Sequence, residues 1–310
     1  MAAHHDAVLW VPPGTTAEHL AGMPPRVAVR EIPVEGELPE TLGRADVLIP
    51  HVSRRRLRDV LPRLDGLSVI QTLSAGVDFL DGMVPAGVTL CDAAGVHDVG
   101  VSEWVLAAIL AMQRDIPLYA RHQQNAEWKG APRFAPEVEG SRVLVVGHGS
   151  IGRAVEHRLR AFGAEVTGIA RRARDGVHGV AELDTLLPEA DIVVVLLPLT
   201  AETRGMVGAG FIERMKPGAL LVNAGRGAVA DTQAITDAVL AGRIRAALDV
   251  VDPEPLPAEH RLWGAPGVLI TPHVAGVSAR MIERGWALVA DQMRRHLAGE
   301  PLLNVVSEGY

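Results

Sequence analysis

Three side chains far apart in the sequence could together carry out proton and hydride chemistry: Arg226, Glu254 and His273. Each follows a short apolar run: LLVN leads into Ala224-Gly225-Arg226-Gly227, ALDVV into Asp252-Pro253-Glu254-Pro255, and VLI into Thr271-Pro272-His273. A histidine serves as general acid or base near neutral pH. A carboxylate on its second ring nitrogen fixes the tautomer. An arginine fork matches a carboxylate and polarises a carbonyl better than lysine does.

A second pattern is a phosphate cradle. The run RVLVVG is followed at once by Gly147-His148-Gly149-Ser150-Ile151-Gly152 and then by a helical pattern. Gly147 permits the tight turn, Gly149 the approach of a pyrophosphate, and Gly152 close helix–strand packing. The backbone N–H groups of Ser150 and Ile151 at the helix start suit phosphates. The strand EVTGIA ends at Ala170, 18 residues past Gly152, where an NAD site would hold an acid. Arg171, Arg172 and Arg174 follow instead, which predicts a 2′-phosphate and hence NADP(H) over NAD(H).

These groups need a scaffold whose strand ends converge. Apolar runs at Ala7–Val11, 46–49, 67–73, 88–91, Arg142–Val146, Glu165–Ala170, 191–197, 219–223, 244–250 and 268–271 alternate with helical patterns. Runs apolar on both faces mark buried parallel strands, so the expected fold class is α/β with two doubly wound, Rossmann-like or flavodoxin-like domains. Val101, Trp104, Val105, Ala108, Ile109 and Met112 predict a long helix after DAAGVHDVG that ends near Pro117. Ile151–Phe162 predicts the helix of the cradle, and 280–298 a C-terminal helix returning to the first lobe. The expected division is 1–97 plus 279–310 as a substrate-binding domain and 98–278 as a dinucleotide-binding domain, with the ligand in a cleft between them.

Composition narrows the class. The 310 residues carry a formal charge of −7, which argues against nucleic acid as a partner. Only Lys129 and Lys216 are lysines among 30 basic residues, leaving 28 arginines, most of which need no local explanation. Cys91 is the only cysteine, so neither a disulfide framework nor a cysteine metal site is expected, and a reducing, cytoplasmic setting fits. No segment suits a signal peptide or a bilayer span, and no metal is expected.

The glycine fingerprint, LPLT at 197–200, NAGRG at 223–227, ALDVVDPEP at 247–255 and TPHVAG at 271–276 together resemble the D-isomer-specific 2-hydroxyacid dehydrogenases. SAGVD at 74–78 and GEPLLNVV at 299–306 extend the resemblance over nearly the whole chain. It implies Arg226, Glu254 and His273 as the catalytic set. It implies cofactor contacts at Leu197, Pro198, Thr203, Asn223 and Asp249, the last toward the nicotinamide. It implies that Ser74, Ala75, Gly76 and Val77 hold the substrate carboxylate through free N–H groups. It also implies a homodimer joined through 98–140. Two positions depart from the family pattern: Ala170 replaces an acid, and VHDVGVSEW replaces an asparagine-bearing segment. Chain length and the arginines lean toward NADPH-linked glyoxylate/hydroxypyruvate reductases. The alternatives are other chemistry on this fold, such as phosphite oxidation, or a non-catalytic nucleotide-sensing binding protein; Glu254 weighs against formate oxidation. His97 and His122 read as structural, Ser53–Arg58 as a solvated helix face, and Trp104 and Trp286 as packing residues.

Overall fold

The computed structural model describes residues 6–33, 36–131 and 134–306. The chain divides into two compact units, Met1–His97 with Ser278–Tyr310, and Asp98–Val277. Residues 1–5, 34–35, 132–133 and 307–310, which the expected domain ranges include, lie outside the described residues.

The second unit is built on seven parallel strands. Their spatial order is Val177–Gly179, Glu165–Ala170, Arg142–Val146, Ile192–Val195, Leu220–Asn223, Arg245–Leu248 and Val268–Ile270. Numbered along the chain within this sheet, that order is 3-2-1-4-5-6-7. The direction of winding reverses between Arg142–Val146 and Ile192–Val195, and a ligand crevice opens at such a switch point. The strands are apolar on both sides because both sides are covered. Val143, Val145, Ile192, Val194, Leu220 and Val222 pack with Val101, Val105, Ile109 and Met112 of the helix Asp98–Gln113. The alternate residues Leu144, Val146, Val193, Val195 and Leu221 pack with Phe211, Ile212 and Ile235 on the other face. Successive side chains of a strand point oppositely, so one run of valines feeds two cores.

The first unit carries five parallel strands in the order Val27–Glu31, Ala7–Val11, Val47–Leu48, Val69–Gln71, Thr89–Cys91. This is the 2-1-3-4-5 arrangement of flavodoxin-like sheets. The C-terminal helix Met281–Ala298 belongs to this unit and buries Trp286, Val289 and Met293 against Ala7, Leu9 and Val11. Buried Gln292 bonds Gln71 at 2.7 Å and also spans to Leu303, which satisfies polar atoms no water reaches.

Several elements differ from the sequence expectation. The helix Asp98–Gln113 starts inside DAAGVHDVG. Pro117 opens the next helix, Ile116–Gln124, from its first turn, where a missing N–H costs nothing. The edge strands Val27–Glu31 and Val177–Gly179 were not expected. Their partly exposed faces break the continuous apolar run that marks a buried strand. Among the described residues no helix is long and apolar enough to cross a membrane.

Candidate active site

The cradle glycines are each confined by different neighbours. Gly147 has φ +105°, and a Cβ there would lie 2.7 Å from the Leu196 carbonyl. A Cβ on Gly152 would lie 2.6 Å from the Gly147 carbonyl oxygen, so the helix Ser150–Ala161 can approach the turn only without a side chain. Above Gly149 there is open space within 4 Å. The first helical backbone bond runs from Arg153 N–H to the Gly149 carbonyl, which leaves the N–H groups of Ser150 and Ile151 without an acceptor among the described residues. Crowded on two glycines and open at the third, the loop fits a dinucleotide pyrophosphate.

The surroundings of the cradle include two residues whose role the sequence reading left out. The Ser150 hydroxyl donates to Asp98 Oδ2, and Asp98 Oδ1 is buried with no partner among the described residues. His148 is buried, and its Nε2 lies 2.5 Å from Glu156 Oε2. Burial alone would push the Glu156 carboxyl up, but hydrogen bonds from His148 and Arg160 outweigh it and hold the group below the ordinary carboxylate range. The only sequence signal for either was the unusual histidine inside the glycine motif.

At the end of Glu165–Ala170, Arg171 and Arg172 are exposed, as a 2′-phosphate site requires. Arg174 is also exposed, but its guanidinium donates to the His148 carbonyl oxygen and lies 3.5 Å from Nδ1 of that ring. Arg171 is near enough to Glu202 to help keep that carboxyl low, after the larger effect of the Thr200 hydrogen bond.

The LPLT segment makes a braced turn. Thr203 Oγ1 donates to the Pro198 carbonyl at 2.6 Å and accepts from Thr200 N–H at 2.8 Å, so its hydroxyl is committed within the loop. Leu197 backs both glycine turns, its backbone lying 2.7 Å from a Cβ on Gly225 and 3.1 Å from one on Gly147. Asn223 is buried and accepts from Gly225 N–H at 3.1 Å, which folds the chain back toward Arg226. Gly227 touches the Val251 backbone so closely that a Cβ would stand 1.8 Å from its carbonyl oxygen. The Arg226 turn is thereby fastened to the turn bearing Glu254.

His273 lies beside Glu254, with Nδ1 2.8 Å from Oε2, while Glu254 Oε1 accepts from Val251 N–H at 3.2 Å. His273 has φ +56°, a left-handed conformation that costs a non-glycine residue about 1–3 kcal/mol. Asp249 holds it there. Its carbonyl accepts from His273 N–H at 2.7 Å. Its buried carboxylate accepts from Thr271 Oγ1 at 2.6 Å and from the N–H groups of Val274 and Ala275 at 2.9 and 2.8 Å. The residue expected at the nicotinamide is thus the brace of the histidine loop, and both of its oxygens are occupied. The His273 ring stays half exposed, and its Nε2 has no hydrogen-bond partner among the described residues.

In the first unit, Ser74-Ala75-Gly76-Val77 follows the strand Val69–Gln71. Ser74 Oγ donates to the Gly76 carbonyl at 2.8 Å, and Thr72 Oγ1 to the Ser74 carbonyl at 2.6 Å. The N–H groups of Gly76 and Val77 have no acceptor among the described residues. His97 Nε2 lies 2.8 Å from the Leu73 carbonyl and supports this loop. Among the described residues no cluster of three metal-binding side chains exists.

Residues 106–275 match the D-isomer specific 2-hydroxyacid dehydrogenase, NAD binding domain. The chain belongs to that family of NAD(P)-binding dehydrogenases. It is 32% identical to D-3-phosphoglycerate dehydrogenase of Methanocaldococcus jannaschii over 87% of this chain and 53% of that one. The chain spans only a little over half the length of such relatives. It is 35% identical to glyoxylate/hydroxypyruvate reductase B of Pectobacterium atrosepticum, over 81% of this chain and 82% of that protein. Its fold superposes with a TM-score of 0.82 on an NADPH-dependent glyoxylate/hydroxypyruvate reductase of Sinorhizobium meliloti in complex with NADP and sulfate. The two are 28% identical, with 97% of this chain and 98% of that one covered.

Proposed function

We propose that this protein transfers hydride between NADP(H) and a small 2-oxo acid/D-2-hydroxy acid pair of the glyoxylate or hydroxypyruvate type, with His273 as acid and base. The observation that carries this reading is the His273–Glu254 contact of 2.8 Å in a loop braced by Asp249. The bound nicotinamide would supply or accept the hydride. The protein supplies the rest. Protonated His273 donates from Nε2 to the carbonyl oxygen during reduction and takes the proton back in the reverse direction. Glu254, on Nδ1, keeps the ring oriented with Nε2 outward. Arg226 binds the substrate carboxylate and draws electron density from the neighbouring carbonyl. In the first unit, the unclaimed N–H groups of Gly76 and Val77 suit a carboxylate.

The cradle at Gly147–Gly152 receives the pyrophosphate, with Leu197, Pro198, Thr203 and Asn223 shaping the wall beside it. Arg171 and Arg172 select the 2′-phosphate. Steady-state rates with both cofactors on glyoxylate, hydroxypyruvate, pyruvate and bulkier 2-oxo acids test the reading. Reduction of one of the smaller acids with kcat/KM for NADPH at least about tenfold above NADH is expected, a difference of about 1.4 kcal/mol. Equal efficiency with the two cofactors would refute the selectivity, and no turnover on any acid would refute the activity.

A homodimer accompanies this reading. Trp128 and Phe134 are fully exposed, and the helix Ile116–Gln124 buries none of its residues within its unit. Bare aromatic side chains beside a helix with no core face fit an isologous contact with a second copy. Light scattering should give about twice the chain mass of 33.0 kDa; a monomer at micromolar concentration would contradict the dimer.

A further inference from the structure

The buried imidazole inside the glycine motif is not used by the reaction, yet it is the most heavily engaged side chain of the cradle. His148 N–H donates to the Ile169 carbonyl at 2.8 Å. Its ring covers Gly168 so closely that a Cβ there would lie 2.5 Å from Cδ2. One ring nitrogen, Nε2, faces the Glu156 carboxylate at 2.5 Å, and the other, Nδ1, faces Arg174 Nη2 at 3.5 Å. A guanidinium can only donate and an ionised carboxylate can only accept. Both ring nitrogens are thus engaged, Nε2 by a carboxylate and Nδ1 by a guanidinium. Glu156 is itself completed by Arg160 at 2.8 Å.

This arrangement determines what Arg174 can do. Its guanidinium also donates to the His148 carbonyl oxygen, and its backbone closes the following turn through Arg174 N–H to the Val177 carbonyl at 3.0 Å and Val177 N–H to the Arg174 carbonyl at 2.9 Å. His148 is 5% exposed with Arg174 packed against it, so the guanidinium helps to keep the ring from solvent. Swinging Arg174 out toward solvent would give up both of its contacts to His148. Of the arginines after Ala170, Arg174 is therefore the strut that joins the pyrophosphate loop to the arginine turn.

We propose that His148 is a positioning residue for recognition of the cofactor's 2′-phosphate: it anchors Arg174, which fixes the turn 171–177 and leaves the phosphate to Arg171 and Arg172. The inference rests on the NADP reading of the preceding section and adds to it a residue that touches no substrate. It also assigns the glycine-motif position between Gly147 and Gly149 a part in choosing between the two cofactors.

Two adenine nucleotides separate the possibilities by calorimetry on the full chain: 2′,5′-ADP, which carries the discriminating phosphate, and 5′-AMP, which lacks it. The wild type should bind 2′,5′-ADP at least about tenfold more tightly than 5′-AMP. In His148→Phe and in Arg174→Leu that preference should fall about tenfold, and the double variant should lose little more than either single one, as coupled residues do. His148→Gln keeps a donor and an acceptor on a buried side chain and should recover most of the preference. The inference is overturned if Arg174→Leu loses the preference while His148→Phe keeps it, because Arg174 would then bind the phosphate itself. Proportional weakening of both nucleotides also overturns it, as that marks a general loss of the loop. A wild type with no preference overturns the NADP reading instead, and the inference falls with it.

Discussion

The loop that carries His273 and the turn that carries Arg171 and Arg172 both close strands of the same seven-stranded sheet, and they are built in opposite ways. At His273 a strained backbone, the Glu254 carboxylate and four hydrogen bonds to Asp249 fix one ring in one orientation. At the arginine turn the side chains stand exposed, and the fixing is done through the contact of Arg174 with the buried His148. Proton transfer requires heavy atoms at hydrogen-bond distance, so small misplacements cost large factors. Recognition of a phosphate draws on charge, which tolerates looser geometry. The molecule spends its rigidity where chemistry depends on distance.

That contrast can be broken by substitution, with effects that descend from the rigid end to the exposed one. His273→Ala should lower kcat by about 10²–10⁴ while NADPH still binds, as read by steady-state rates and nicotinamide fluorescence. An unchanged kcat would remove His273 from the reaction. Asp249→Asn replaces an acceptor with an amide N–H aimed at the donors of Val274, Ala275 or Thr271. It should reduce kcat about 10²-fold and cost about 1–3 kcal/mol of stability. A fall in stability alone would make Asp249 only a packing residue. Arg172→Ala should raise KM for NADPH about tenfold and that for NADH far less; equal changes would disconnect it from the 2′-phosphate.

The smallest effect concerns Glu156, beneath the arginine turn. Its carboxyl is held below the ordinary range in the folded chain, so it stabilises the fold above its unfolded pKa, and that contribution is lost as pH falls through the folded value. Glu156→Gln should lower the melting temperature near neutral pH, by about 1 kcal/mol of stability. The gap to the wild type should narrow once the pH drops below about 4.3. A gap that persists in acid would mean that packing, not charge, makes the difference.

Much of this contrast was legible in the sequence. Arg142–Val146 and Glu165–Ala170 have the bounds the apolar runs suggested, because central parallel strands are apolar on both faces. The cradle was legible because backbone crowding forces glycine at 147 and 152, which leaves a spacing. Val27–Glu31 was not, since an edge strand with a half-exposed face looks like many loops. The part of Asp249 in bracing the His273 loop was equally hidden: an aspartate after a strand gives no sign of which three donors it will meet. Neither does His148 announce Glu156 or Arg174, which meet it only through the turn of a helix and the end of a strand.

The central claim is direct hydride transfer to a 2-oxo acid with formation of the D-alcohol. The most direct test uses NADPH carrying deuterium at the transferable position of its nicotinamide ring, in each of the two ring configurations, with hydroxypyruvate as acceptor. Mass spectrometry and chiral chromatography then locate the label and read the product's configuration. The account predicts deuterium on the carbinol carbon of the D-hydroxy acid from one of the two labelled cofactors. An L-product, or no label transferred from either cofactor, would contradict it.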